Sequence, residues 1–170
     1  ALAFPSAFKD EGVATVARAI ARDVGLWDQS ACASPHTLYL LCPDPREQGR
    51  LLKDFLRAAR PAFARMQDDI PQGRLTDDEK VEITKARELA KVDAALGRAL
   101  AAVSPEAQHW TVIAEKDDAF KVSPQNRVLY VKCVRSLKRL AALLLPRRGA
   151  VRGGRLATRG IADAAPGAGR

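Results

Sequence analysis

Apolar residues recur at helical spacing through Val13, Val16, Ala17, Ile20 and Val24, behind the polar run Lys9-Asp10-Glu11. Gly25 follows where a helix would stop, so the first element reads as an amphipathic helix. Thr37-Leu38-Tyr39-Leu40-Leu41-Cys42 is a short β-prone run closed by Pro43-Asp44-Pro45, the pattern of a buried strand ended by a turn, and it places Cys42 in the core. Between Arg46 and Arg60, Leu51, Leu52, Phe55, Leu56 and Ala59 form one apolar stripe, which predicts a second helix, with Pro61 marking a kink or break before Phe63 and Met66. Thr76 and Glu79 have the capping-box spacing, and Asp77 and Asp78 sit where a helix dipole favours acids. A third helix is predicted from there to about Val103. Trp110–Ile113 and Arg127–Val134 read as strands, separated by Glu115-Lys116-Asp117-Asp118 and by Ser123-Pro124-Gln125-Asn126, and a last helix covers roughly 135–145. The order is mixed α/β, with no internal repeat.

At 170 residues and 47% hydrophobic content, the chain has the material for one globular domain with a core. No charged-then-apolar opening and no long apolar run suggests a leader or a membrane span. The chain therefore reads as a cytoplasmic piece of something longer, whose only Met is Met66. The net charge of +8 is unevenly placed, because residues 146–170 hold six Arg and one Asp and so carry five of those charges. That Arg/Gly/Ala segment has no hydrophobic periodicity and no aromatic residue for base stacking. It reads as a disordered tail, or as the translation of a shifted reading frame, and not as a nucleic-acid-binding arm. The expected division is a folded unit over 1–145 and a tail over 146–170. Three cysteines with no C-x-x-C, and two histidines, argue against a disulfide framework and a zinc site.

The chemistry concentrates in Trp27-Asp28-Gln29-Ser30-Ala31-Cys32-Ala33-Ser34-Pro35-His36, a loop of small residues between the first helix and the first apolar strand. A thiolate is the strongest nucleophile among protein side chains, and such a loop leaves a flat thioester carbonyl room to approach Cys32. Cys133, inside an apolar strand, reads as inert. His36 stands four residues beyond Cys32 and could be imagined as its base, a role that geometry has to decide. Ser123-Pro124 most simply makes a turn.

The segment Trp27 to Pro35 resembles the active-site segment of the LuxC-type fatty acyl-CoA reductases. Trp110-Thr111-Val112-Ile113, together with Phe120-Lys121-Val122-Ser123-Pro124-Gln125-Asn126-Arg127-Val128, is similar to a downstream motif of the same family. More distantly, Gln29 ahead of Cys32 resembles the Gly-Gln-x-Cys neighbourhood of aldehyde dehydrogenases. The resemblance implies an aldehyde-dehydrogenase-like catalytic domain, present in part. It also implies that Cys32 accepts a long-chain acyl group from acyl-CoA as a thioester, which hydride from NADPH reduces to a fatty aldehyde of the kind that serves bacterial luciferase. Gln29 would hold the loop or donate to the oxyanion. Acyl-protein synthetase and thioesterase subunits are the partners the family implies. The family motif does not call for histidine at His36. By loose analogy with the superfold Glu115 could be a base or a ribose contact, but an exposed strand-end carboxylate is the expectation.

The chain carries no G-x-G-x-x-G, and its pattern offers no strand–helix–strand unit. NADPH is accordingly expected to be bound mainly by an upstream nucleotide-binding half that is missing here. Two other readings follow from the same residues: an inactive fragment of such a reductase, and a subunit-interaction module that works through the charged helix beginning at Thr76.

Overall fold

The computed structural model describes residues 2–3, 12–105 and 109–145; the predicted tail 146–170 lies outside them. Five strands form one sheet: β1 (Leu2–Ala3), β2 (Thr37–Leu41), β3 (Ala99–Val103), β4 (Thr111–Glu115) and β5 (Val128–Val134). Their spatial order is β1-β2-β5-β4-β3, parallel throughout except for β3, which pairs antiparallel with β4 at the edge. The helices are α1 (Gly12–Gly25), α2 (Pro45–Asp69), α3 (Asp77–Ala95) and α4 (Leu137–Leu144). The class is mixed α/β, as the hydrophobic pattern predicts.

The alternation of side chains along the strands decides which helix covers which face. Leu38 and Leu40 of β2, Val112 and Ala114 of β4, and Leu129, Val131 and Cys133 of β5 join one apolar cluster with α1 and α2. The intervening residues face the other way. Ile113, Val128 and Tyr130 pack with Ile83, Ala86 and Ala90 of α3, while Tyr39 and Val134 pack with Leu140 of α4. Strands buried on both faces need near-continuous apolar runs, which is why β2 and β5 were legible as such.

Three expectations are corrected. Helix α2 does not break at Pro61. It runs unbroken to Asp69, because Ala62, Phe63 and Met66 continue the apolar stripe into the core while Pro61 sits on the solvent side. Packing thus outweighs the cost of a helical proline, roughly 3 kcal/mol. Helix α3 stops at Ala95 instead of near Val103. Gly97, at φ +70°, lets Arg98 N–H reach Asp93 O and Gly97 N–H reach Ala94 O, the paired bonds of a glycine-terminated helix end. The helix-prone residues Ala99–Val103 then become an edge strand through pairing with β4. Finally, the parallel pairing of β1 with β2 across α1 makes a strand–helix–strand unit where none was expected.

Helix α1 approaches α2 closely at Gly25, where an added Cβ would fall 2.2 Å from Met66 Sδ. Met66 is itself buried and has little room to yield. Gly25→Ala should therefore cost about 1–3 kcal/mol by overpacking, read as a lower urea midpoint at unchanged slope. Combined with Met66→Ala, it should cost less than the sum of the two single losses, because the truncated side chain no longer meets the added methyl.

Candidate active site

After Gly25 the chain leaves α1 through three successive residues in the left-handed region: Trp27 (φ 62°), Asp28 (φ 49°) and Gln29 (φ 65°). A second such run, Gln125 (φ 67°), Asn126 (φ 50°) and Arg127 (φ 66°), leads into β5. None of the six is glycine. Each such residue costs about 1–2 kcal/mol, and strain of this kind persists only where surrounding contacts enforce it.

Those contacts join the two runs to each other. Asn126 N–H donates to Asp28 O at 3.0 Å. Arg127 Nε donates to Asp28 Oδ1 at 2.5 Å, and Gly73 N–H donates to Asp28 Oδ2 at 2.9 Å. Gln29, fully buried, donates through Nε2 to Pro35 O at 2.8 Å and to Val128 O at 3.1 Å. Ser123 Oγ accepts from Gln125 N–H and donates to Val128 O, so the predicted Ser123-Pro124 turn opens the second run. The two stretches singled out in the sequence are thus one structure at the amino-terminal edge of the parallel strands.

Cys32 stands beyond this junction at the corner of a turn in which Ser34 N–H donates to Ala31 O at 2.9 Å. Its thiol is free and exposed. A turn bonded only across its ends leaves the N–H groups of its two central residues, Cys32 and Ala33, without a partner in the turn. Cys42 and Cys133 are buried as expected. Burial, aided by Glu47 and Asp44, raises the Cys42 thiol. Burial beside Cys42 pushes Cys133 up to about 12.

The other candidates fall elsewhere. Burial holds the His36 imidazole below its ordinary value, although the Ser123 backbone opposes the shift. Its Nδ1 is buried without a partner, and no hydrogen bond links it to Cys32. Both Gln29 amide hydrogens are committed to carbonyls, and its Oε1 is buried with no partner. Glu115 is not exposed: only 5% of its surface is accessible. It pairs with Lys132 Nζ at 2.6 Å and Lys121 Nζ at 2.7 Å, while Lys132 also reaches Asp117 at 2.9 Å. A cleft of about 300 Å³ opens beside these four residues and Arg98. It belongs to the opposite edge of the sheet, since Glu115 ends β4 and Lys132 lies four positions beyond Val128 along β5, about 13 Å at strand rise. Glu115 and Cys32 are therefore not brought together. Sequence reading missed Asp28, Arg127 and Lys132 as structural centres. The available signal was a lysine within an otherwise apolar strand, which requires a buried counter-charge.

Among the described residues no group of His, Cys, Asp or Glu could hold a metal ion, and no helix is long and apolar enough to cross a membrane.

The chain matches the acyl-CoA reductase (LuxC) family over residues 5–159. No curated protein and no solved structure gives a significant match.

Two outcomes are expected from the geometry. Iodoacetamide on the native chain at mildly alkaline pH should add one group, at Cys32, with Cys42 and Cys133 reacting only after denaturation; peptide mapping by mass spectrometry checks this. Gln29→Ala leaves the Pro35 and Val128 carbonyls without that donor and should cost about 1–3 kcal/mol, measured by chemical denaturation.

Proposed function

We propose, for a chain that belongs to the LuxC acyl-CoA reductase family, that Cys32 is the residue that takes the acyl group from a long-chain acyl-CoA. The observation that carries this reading is the contrast among the three thiols. Cys32 is exposed on a turn pinned to the rest of the molecule, while Cys42 and Cys133 are buried. In the transfer the Cys32 thiolate attacks the thioester carbonyl, the new S–C bond forms, and the bond to the coenzyme A sulfur breaks. The departing thiolate takes up a proton from solvent. Coenzyme A thiolate is a good leaving group, so the step needs a positioned nucleophile and donors for the oxyanion more than it needs a strong acid. The Cys32 and Ala33 N–H groups supply those donors in this reading. Gln29 supports the loop and leaves the oxyanion to them, because both of its amide hydrogens are engaged.

NADPH is the proposed source of the hydride that would release the product as fatty aldehyde. The sequence does not carry the pattern that cradles its pyrophosphate: there is no G-x-G-x-x-G, and residues 4–11 contain no glycine, whereas the dinucleotide fingerprint is glycine-rich. No reductive step is assigned to these residues, and the nucleotide is proposed to sit on residues outside those described. The aldehyde-dehydrogenase-like arrangement of the catalytic domain and the supply of aldehyde to a luciferase are part of the same proposal.

A second reading, a subunit-interaction module, draws on one observation. Val81, Leu89, Val92 and Leu96 are each at least half exposed and fall along one side of α3 and its end. An acyl-protein synthetase or a thioesterase would be the partner it calls for.

Intact mass after incubation with a long-chain acyl-CoA distinguishes the two. A hydroxylamine-labile adduct, absent from Cys32→Ala, is the expected result. No adduct on a chain shown to be folded by circular dichroism would favour the inactive fragment or the interaction module.

A further inference from the structure

We propose that Arg127 is the positioning residue of the nucleophile loop: through Asp28 it holds the left-handed turn that presents Cys32 to the thioester. The inference rests on the reading that Cys32 takes the acyl group, and it adds a residue for which that reading has no role.

Apolar burial does little to hold the loop. Trp27 is 78% exposed and Leu26 41% exposed, and Cys32 and Ala33 are exposed as well. Between Leu26 and His36 only Gln29 and Pro35 are buried. The position of the thiol therefore depends on directional polar bonds, and these converge on Asp28 and Gln29.

Arg127 is the centre of the convergence. Its side chain is completely buried and donates to three separate parts of the chain. Nε reaches Asp28 Oδ1, one terminal nitrogen reaches Gln67 Oε1 of α2 at 2.6 Å, and the other reaches the Gly25 carbonyl at the end of α1 at 3.4 Å. Five donors in a rigid planar fork allow this, and a lysine ammonium on a flexible stem cannot reproduce it. Asp28 spends its second oxygen on Gly73, so both oxygens of the carboxylate are engaged. Without the fork, Asp28 loses its charged partner and the run Trp27–Gln29 loses the contact that offsets its left-handed strain. A shift of about 1 Å at the nucleophile is enough to lower a transfer rate by 10²-fold.

The test compares the unaltered chain with Arg127→Lys and Asp28→Asn. Cys32 acylation by a long-chain acyl-CoA is followed over a range of concentrations by intact mass, beside iodoacetamide alkylation and a thermal melt. In Arg127→Lys the melt should stay cooperative and alkylation should keep the parental rate, because a small reagent does not need an oriented thiol. The saturating acylation rate should fall by about 10²-fold, with the half-saturating concentration unchanged. Asp28→Asn should fall in the same direction, since its one carbonyl oxygen can accept from Arg127 or from Gly73 while its NH2 group meets the other donor. A folded Arg127→Lys chain that acylates at the parental saturating rate overturns the proposal, and so does an equal fall in alkylation. If Arg127→Lys does not fold, Asp28→Asn decides by the same split. An unaltered chain that gains no acyl group at Cys32 overturns the underlying reading and the positioning role with it, and is distinguished from the other failures by needing no variant.

Discussion

The ion pair between Asp28 and Arg127 joins residues 99 positions apart in the sequence, and the geometry at the amino-terminal edge of the sheet depends on it. Asp28 contributes its backbone carbonyl to Asn126, one carboxylate oxygen to Arg127 and the other to Gly73. A single residue therefore ties the end of α1, the approach to β5 and the segment after α2. Pairs of this kind are weak as net stabilisers, because desolvation offsets their attraction, yet losing one partner costs about 3–5 kcal/mol. That asymmetry suits a device whose purpose is to fix a conformation.

The sheet separates two chemistries. On the face covered by α1 and α2 the contacts are apolar, with Phe63 set against Trp110 at 5.7 Å between ring centroids. On the other face α3 and α4 leave room between them for charge. There Lys132, almost fully buried, is balanced by Glu115 and Asp117, and Lys121 reaches Glu115 while lying over the Tyr130 ring. The segment between β4 and β5 runs along this face, fastened further by Thr37 Oγ1 donating to Lys121 O and by the paired bonds from Arg139 to Asp118. It then turns into the left-handed run at Gln125. One connection thus carries the charged network at its start and the grip on the loop that bears Cys32 at its end.

Much of this was legible from residue order. Helices with a clear apolar stripe and strands with long apolar runs, such as Val13–Val24 and Val128–Val134, need only periodicity to be recognised. What escaped was decided by contacts distant in sequence. Ala99–Val103 looks helical in isolation and becomes a strand because β4 lies beside it. Pro61 looks like a break and is carried through by the burial of Phe63 and Met66. At the candidate site, residue types located the thiol and its loop, but no local signal could show that Arg127 folds back onto Asp28, or that Gln29 spends both its donors on carbonyls. Glu115 was misjudged for a related reason: a strand-end carboxylate is usually solvated, and its two lysine partners come from a loop and from the next strand.

The strand order has a consequence for how the molecule comes into being. β5 is made last among the strands yet lies at the centre of the sheet, between β2 and β4. Until it inserts, a growing chain carries two separate half-sheets whose inner edges have unpaired backbone groups, and such edges invite association with other chains. The same insertion delivers Asn126, Arg127 and the Val128 carbonyl to the loop that bears Cys32. Ordered presentation of the thiol therefore depends on β5: a chain lacking that strand would carry the cysteine without the surroundings that hold it in place.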